Sequence, residues 1–306
     1  MRCPWLLMLA ALLCLGQGKP SSNTLEGLPP VKTSLPANWA PGLDKEAAGI
    51  KPLMMNLWTQ AAPNQVNDAK PERDDGTGRI WDVNVPGMLV YLPPKDTANQ
   101  SGGTCIIACM GGSYTHLTRL VGADNTVESL TRKGIAVVSL KYRLKPPSID
   151  PERDAVQDAR RAIHLVRQHA DEWHVNPQKI GLLGWSAGAN LILSAATHPD
   201  TDPAARPNFV VMWSPWPSGK TIAAYSVPKD APPALLGTAH DDRTAPLTFA
   251  KEIQAGWEKT GVPVTWVDVT TGGHGAFELG AGSAGNWVDD QLLPWLAKNH
   301  WWAAAP

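Results

Sequence analysis

The sequence Gly-Trp-Ser-Ala-Gly at residues 184–188 constrains the fold of this chain more than any other segment. It follows the short apolar run at 180–183 and precedes a small, helix-compatible segment at 189–193. A serine at such a strand-to-helix turn is held in a strained conformation with its hydroxyl exposed. The N-terminus of the following helix also offers free N–H groups to an anion. Because a Gly/Ser turn is often only a turn, Ser186 becomes a candidate nucleophile only if suitable partners are found.

Apolar runs alternate with helical patterns from about residue 78 onward. Several runs are continuous rather than alternating, which is typical of parallel strands buried on both faces. The clearest helix runs from Pro151 to about residue 173, where one apolar stripe recurs at three- and four-residue spacing. We therefore predict a single α/β domain, a doubly wound and mostly parallel sheet with helices on both faces. Its predicted strands are 88–92, 105–110, 135–140, 180–183, 209–213, 234–237 and 264–269.

The first 18 residues have the pattern of a secretory signal peptide. Arg2 supplies the charged end, residues 6–15 an apolar core too short to span a membrane, and residues 16–18 a small-x-small cleavage site. We therefore expect export, either to the periplasm or out of the cell. Residues 19–50 are predicted to form a flexible or surface-wrapping arm, and residues 51–306 the domain that carries the chemistry.

The net charge excludes some classes of partner, and the spacing of two cysteines excludes a disulfide between them. A net charge of −1 argues against nucleic acid and against an anionic membrane surface. Cys105 and Cys109 fall on one predicted strand, roughly 13 Å apart at ~3.3 Å per residue. A disulfide needs Cα atoms within about 7 Å, so we expect two buried free thiols. We predict no stable membrane insertion, and the sequence leaves the oligomeric state open.

A serine hydroxyl becomes a nucleophile when an oriented base removes its proton and fixed donors meet the developing oxyanion. The base candidate is His274, in the sequence Gly-Gly-His-Gly at 272–275, shortly after the strand predicted at 264–269. That position lies near the carboxyl end of the sheet, where such sites collect. His116 lies near a second glycine-rich loop, where it can touch a substrate, but it precedes the serine. We predict His274 as the base.

The acid candidate is Asp242, which competes with its neighbour Asp241. Asp242 is preferred because an Asp-x-x-x-Pro spacing leads from it into the next helix. His240, Asp241 and Asp242 are also a conceivable metal site, but no further ligand cluster in the sequence supports one. We predict neither a metal nor an organic cofactor.

The candidate oxyanion loop is Met-Gly-Gly-Ser-Tyr at 110–114, directly after the strand predicted at 105–110. Glycines there let backbone N–H groups approach a substrate carbonyl. We predict the N–H groups of Gly111, Gly112 and Ala187 as the donors. The alternative is a plain glycine-rich turn. Ser113, in the same loop, is predicted to contact the substrate.

Aromatic side chains near the strand ends offer flat apolar faces for a sugar ring. Tyr114 and Trp216 are predicted to contact the substrate, although strand-end tryptophans often only pack the core, an alternative that suits Trp213 better than Trp216. Trp185 is predicted to pack behind the serine turn. For Arg143, which follows a strand, a buried structural ion pair is expected.

Together these segments resemble the α/β-hydrolase superfamily. More narrowly, they resemble secreted carbohydrate esterases of the acetylxylan-esterase-like and feruloyl-esterase-like kind. The resemblance covers roughly residues 80–280, and its most specific parts are residues 110–114, 140–144, 158–163, 175–181, 184–188 and 272–275. It implies that Ser186 is the nucleophile, Asp242 the acid and His274 the base, with Gly111, Gly112 and Ala187 forming the oxyanion hole.

The chain departs from the family pattern at three places. Met110 stands where Pro or His is usual, and Ser113 replaces a third glycine. Ala189 and Asn190 stand where Gly-His or Gly-Gly usually follows the serine turn. The first two departures lie in the oxyanion loop and bear on its geometry and on the acyl group preferred.

The resemblance implies an exported serine esterase that removes small acyl groups, acetyl first, from plant-polysaccharide fragments such as acetylated xylan. Its partner would be a small-molecule or oligosaccharide ester. Three alternatives stay open: a feruloyl esterase, a serine peptidase of the prolyl-oligopeptidase type, and a catalytically silent hydrolase fold that binds carbohydrate.

Overall fold

The computed structural model describes residues 28–47, 49–98, 100–118 and 125–303, so the predicted signal peptide lies outside the described residues. The strands of the large sheet are β1 (Leu53–Asn56), β4 (Gly87–Tyr91), β5 (Cys105–Cys109), β7 (Ala136–Lys141), β8 (Ile180–Trp185), β9 (Phe209–Trp213), β10 (Ala234–Ala239) and β11 (Val264–Val269). A small sheet contains β2 (Arg73–Asp74), β3 (Arg79–Trp81) and β6 (His116–Thr118). The helices are α1 (Thr126–Thr131), α2 (Pro151–Gln168), α3 (Ala187–Thr197), α4 (Leu247–Thr260) and α5 (Leu293–Lys298), the last preceded by a π-helical turn at Val288–Leu292.

The eight strands lie in the order β1-β4-β7-β5-β8-β9-β10-β11. Pairing is parallel from β7 to β11, whereas β4 runs antiparallel to both β1 and β7. Helix α1 packs on β7, α3 on β8 and β9, and α4 on β10 and β11. The predicted doubly wound, mostly parallel α/β sheet is therefore confirmed. Its parallel strands bring their carboxyl ends to one edge, where the loops that follow β5, β8, β10 and β11 meet.

Continuous apolar runs form the centre of the sheet, as their lack of alternation predicts. Every residue of β5, β7, β9 and β10 is buried, because these strands are covered on both faces. Strand β11 lies at an edge and shows a partly alternating burial pattern. Cys105 and Cys109 are both buried and free, and burial raises the pKa of each thiol. Among the described residues, no helix has the length and apolar content needed to cross a bilayer.

The described part of the predicted arm packs against the first strand of the sheet. The Trp39 indole is 5% exposed and donates a hydrogen bond to the Asn56 carboxamide oxygen at 2.6 Å. Lys32 and Met54 exchange two backbone hydrogen bonds of 2.8 and 2.7 Å. Trp39 and Lys32 therefore hold this segment against β1. The arm at residues 19–50 and the division of the chain at residue 50 stay predictions.

Helix α2 is shorter than its apolar stripe predicts. It begins at Pro151, behind an Asp150 side chain that accepts a hydrogen bond from the Arg153 N–H group, but it ends at Gln168 rather than near residue 173. Ala170 and Trp173 remain buried in the turn that follows. The apolar spacing therefore continues past the helix because this turn packs on the same core.

A buried ion pair joins α2 to the loop after β7, as expected for Arg143. The Arg143 guanidinium donates to Asp158 Oδ1 and Oδ2 at 2.9 Å each, and to the Asp154 carbonyl at 3.0 Å. It also donates to the Pro63 carbonyl. The side chains of Arg143 and Asp158 are 1% and 0% exposed, so neither charge has water as an alternative partner.

We expect Arg143→Met to lower the free energy of unfolding by about 3–5 kcal/mol, because it leaves the Asp158 carboxylate buried without a counter-charge. Denaturant unfolding followed by circular dichroism measures this. The matched control is Arg132→Met, which breaks an ion pair with Glu128 whose arginine side chain is 70% exposed. That change should cost only about 0.5 kcal/mol, and equal losses in the two variants would contradict the assignment.

Candidate active site

Ser186 occupies a sharp turn between β8 and α3. Its backbone angles are φ 54° and ψ −119°, a conformation that non-glycine residues rarely adopt. A Cβ at Gly188 would lie 1.9 Å from the Cys109 carbonyl oxygen, so only glycine allows α3 to start this close to β5. The strained backbone holds the Ser186 hydroxyl out from the sheet edge.

The structure brings Ser186, His274 and Asp242 into one hydrogen-bonded line. His274 Nε2 lies 2.9 Å from Ser186 Oγ. On the other side of the ring, His274 Nδ1 lies 2.9 Å from Asp242 Oδ2. Ser186 follows β8, Asp242 lies in the loop after β10, and His274 lies in the loop after β11. Such a line can take a proton from the serine and stabilise the resulting imidazolium.

The Asp242 carboxylate is fully buried, and its position is fixed by its own loop. Oδ1 accepts hydrogen bonds from the N–H groups of Thr244 at 2.9 Å and Ala245 at 2.8 Å. Burial by itself raises the pKa of Asp242, but the hydrogen bonds from His274 and from these N–H groups outweigh it and hold the pKa below its usual range. The carboxylate therefore remains charged beside the ring, whose side chain is 34% exposed and open to a substrate.

Asp241, the competing acid, contacts the loop that carries His274. Its carboxylate accepts from the N–H groups of Gly273 at 2.8 Å and Gly272 at 3.3 Å. His240 turns away and pairs with Asp268 at 2.8 Å. The three neighbouring side chains that the sequence allowed as metal ligands therefore have three different partners. No group of three or more His, Cys, Asp or Glu side chains suited to a metal occurs within the described ranges.

The candidate oxyanion loop follows β5 beside the serine. A Cβ at Gly112 would lie 1.9 Å from the His116 carbonyl, and Gly112 has φ 131°, so this close turn requires glycine. Gly111 lies against Ser186, with an added Cβ only 3.1 Å from the serine Cβ. The N–H groups of Gly111, Gly112 and Ala187 donate to no partner among the residues described. Gly111 and Gly112 line the cavity, whereas Ala187 is buried as the first residue of α3.

Two tyrosines anchor this loop from behind. The Tyr142 hydroxyl donates to the Met110 carbonyl at 2.6 Å. The Tyr114 hydroxyl donates to the Asn190 side-chain oxygen at 2.8 Å, and the Asn190 amide donates to the Tyr225 hydroxyl at 2.8 Å. Tyr114 is 3% exposed, so its predicted contact with the substrate does not agree with its buried position. Asn190, one of the departures from the family pattern, is the residue that holds Tyr114 inward.

Three tryptophans lie near the site, and the positions of two of them differ from the predicted ones. Trp213 is fully buried and stacks on Phe277 at a centroid distance of 4.3 Å, in agreement with a core position. Trp216 packs beside Tyr114 at 6.4 Å and does not line the cavity, so the predicted substrate contact is not supported by its position. Trp185 packs with its indole N–H on the Phe277 carbonyl at 3.3 Å but also lines the cavity, which the sequence did not predict.

The cavity above Ser186 has a volume of about 480 Å³, within the range for a small-molecule site. Ser113 lines it, as predicted, and so does His116. The sequence patterns do not predict the wall formed by the small sheet, nor the contribution of Glu278, which lies shortly after the turn that carries His274. The lining residues that were not predicted include Thr77, Arg79, Thr118, Thr244 and Glu278.

Solved structures share this architecture. An acetyl ester-xyloside bifunctional hydrolase from Caldicellulosiruptor lactoaceticus superposes with a TM-score of 0.62 at 22% identity, covering 82% of this chain and 97% of its own. Esterase 2 of Thermogutta terrifontis in its native form gives a TM-score of 0.59 at 22% identity, covering 72% and 90%. The chain has the α/β-hydrolase fold.

Sequence relatives agree with the superpositions. Residues 88–208 match the BD-FAE family. An acetylxylan esterase of Xylanibacter ruminicola is 26% identical over 201 residues, which cover 56% of this chain and 39% of the relative. An acetyl esterase of Salmonella schwarzengrund is 30% identical over 129 residues, which cover 39% of each chain. The chain spans about two fifths of the length of these curated relatives.

Proposed function

We propose that this α/β-hydrolase is a serine carboxylic-ester hydrolase that removes small acyl groups of the acetyl type. The observation that carries the proposal is the hydrogen-bonded line from Ser186 Oγ through His274 to the buried Asp242, opening into a cavity of about 480 Å³. Relatives named acetylxylan esterase and acetyl esterase support the choice of reaction.

In the proposed reaction, Ser186 Oγ attacks the ester carbonyl while His274 Nε2 takes its proton. Asp242 holds the Nδ1–H tautomer and stabilises the imidazolium that forms. The imidazolium then gives its proton to the leaving alcohol, which departs from the acyl-serine. Water, deprotonated by the same ring, attacks the acyl-serine and releases the carboxylic acid.

The oxyanion formed in both steps would be met by the N–H groups of Gly111, Gly112 and Ala187. These groups support the proposal because the described chain gives them no internal partner and because Gly111 lies against Ser186. Each such donor contributes roughly 3 kcal/mol to transition-state stabilisation. The Tyr114–Asn190 and Tyr142–Met110 hydrogen bonds would keep the loop in position between turnovers.

For the natural substrate, we propose an acetylated plant-polysaccharide fragment such as an acetylated xylan oligosaccharide, met outside the cytoplasm. The substrate class rests on the acetylxylan esterase relative, and the location on the signal-peptide pattern of residues 1–18. An open cavity lined by hydroxyls and by the edge of Trp185 is compatible with a sugar hydroxyl as the leaving group.

A panel of para-nitrophenyl esters graded by acyl length, run beside acetylated xylan oligosaccharides, a feruloyl ester and a prolyl peptide, tests this function. We expect acetyl esters to give the highest kcat/KM, release of acetate from the oligosaccharides, and no peptide cleavage. The enzyme should be recovered from the periplasmic or extracellular fraction with Lys19 as its first residue. If the feruloyl ester or the peptide were turned over faster than the acetyl esters, the enzyme would instead be a feruloyl esterase or a peptidase. Absence of all turnover would favour the carbohydrate-binding alternative.

A further inference from the structure

One wall of the cavity is a face of the small sheet formed by β2, β3 and β6. In this sheet Arg79 pairs with Thr118 and Trp81 with His116. Side chains alternate along a strand, so these four residues share one face. Ile80 and Leu117 point to the other face and are 1% and 0% exposed. The buried pair fixes the register, and the register directs Arg79 toward the cavity that contains Ser186.

Arg79 brings to this wall a positive charge that no acidic side chain among the described residues pairs with. Its guanidinium donates a hydrogen bond to the Thr77 hydroxyl at 3.2 Å and makes no ion pair with any residue the structure describes. The neighbouring Asp75 carboxylate is occupied by Thr77 at 2.6 Å and by the Trp81 indole at 2.9 Å. Arg73, on the adjacent strand, differs because it is paired with Asp82 at 3.2 Å.

The other ionisable groups of the cavity determine where an anion can bind. Burial and the Arg79 charge lower the pKa of His116 against the opposing effect of the Asp75 carboxylate, so this ring is neutral at pH 7. Among the described residues that line the cavity, Arg79 is the one with a permanent positive charge. Glu278 lies at the His274 end, with a carboxylate oxygen 3.9 Å from the place a Gly275 Cβ would take. An anionic substrate group is therefore attracted to the small sheet, where Arg79 lies.

A neutral acetyl ester has no group that uses this charge. A guanidinium presents parallel N–H donors that match a carboxylate, and such charge-assisted bonds are stronger than neutral ones. We propose that Arg79 forms a carboxylate-binding subsite of the cavity, so that the preferred ester carries a carboxylate on the same molecule. This proposal rests on the proposed esterase function and adds a substrate class to it.

The carboxylate can belong to the alcohol, as in an acetylated sugar acid, or to the acyl group, as in a dicarboxylic monoester. Two matched substrate pairs distinguish these sources. The alcohol-side pair is para-acetoxybenzoate and para-acetoxybenzamide, and the acyl-side pair is the para-nitrophenyl monoesters of adipic and adipamic acid. Within each pair a carboxylate replaces a neutral carboxamide of nearly the same shape.

We expect the carboxylate member of one pair to be preferred by kcat/KM, with the preference residing mainly in KM. Arg79→Gln should lower that carboxylate-to-carboxamide ratio about tenfold, and raised salt should lower it in the wild type. Arg79→Lys, which keeps the charge but not the paired donors, should give an intermediate ratio. The control is Arg73→Gln, which removes an arginine of the same sheet outside the cavity and should leave the ratio unchanged.

Equal kcat/KM for both members of both pairs in the wild type would overturn the subsite while leaving the esterase function intact. A ratio that persists in Arg79→Gln would also overturn it. If the wild type hydrolysed neither member of either pair nor any neutral acetyl ester, the proposed function itself would fail. Should Arg79→Gln not fold, Arg79→Lys and the salt dependence still decide the outcome.

Discussion

Replacing Ser186 with alanine should lower kcat for para-nitrophenyl acetate by about 10⁵-fold, because no other group can form the acyl-enzyme. Among the described residues, the hydroxyl hydrogen-bonds only to His274 Nε2, at 2.9 Å, and alanine keeps the Cβ that already tolerates φ 54°. The thermal midpoint should therefore change little. Steady-state kinetics and circular dichroism on the purified variant measure both quantities.

Labelling with a fluorophosphonate provides an independent readout of the same residue. The wild type should be modified at Ser186, as located by peptide mass spectrometry, and Ser186→Ala should not be labelled. Ser226→Ala is the matched control, since Ser226 is exposed and lies outside the cavity. Undiminished turnover or labelling of Ser186→Ala would remove the serine from the mechanism, whatever fold the chain has.

The sequence predicts the parallel part of the sheet because several of those strands are continuous apolar runs, whereas β11 alternates in part. The predicted ranges 209–213 and 264–269 coincide with β9 and β11, and the others differ by one or two residues at their ends. Strand ends depend on hydrogen bonds to neighbouring strands, which a local pattern does not contain. Strand β1, of four residues, carries too short an apolar run to distinguish it from a turn.

The small sheet escapes prediction for a different reason. Its strands are two and three residues long, and the side chains of Arg79, His116 and Thr118 line a cavity rather than a core. The Asp75-Gly76 pair marks a turn, but the strands on either side are too short to show an apolar periodicity. The proposed carboxylate subsite at Arg79 therefore lies in the part of the chain that sequence patterns describe least well.

The side chains around Ser186 show where motif reasoning is adequate and where it fails. Ser186, His274 and Asp242 stand at loop positions set by local signals, a strand followed by glycine or an Asp-x-x-x-Pro spacing, and the structure brings them together. The position of Tyr114 depends instead on Asn190, which is 76 residues away in sequence. An aromatic residue beside a glycine-rich loop faces a substrate or the core according to such distant partners, which spacing alone does not reveal.

Asp242→Asn should lower kcat by about 10⁴-fold with little change in the position of the loop. Asn Oδ1 can still accept from the Thr244 and Ala245 N–H groups, but the second oxygen, which faces His274 Nδ1 at 2.9 Å, becomes an NH₂ donor. The ring then has to accept at Nδ1 and carry its proton on Nε2, where it donates toward the serine. In that tautomer His274 cannot take the proton from Ser186.

Asp241→Asn makes the same chemical change one residue earlier and therefore serves as the control. The Asp241 carboxylate is exposed, and backbone hydrogen bonds led by that from Gly273 lower its pKa. Asparagine keeps an acceptor for Gly273 and loses at most the longer bond from Gly272. Its effect on kcat should stay below about tenfold, since the His274 loop loosens but the tautomer is preserved. A reversed order of the two losses would transfer the role of the acid to Asp241, and two small losses would mean that an interaction other than a carboxylate orients the ring.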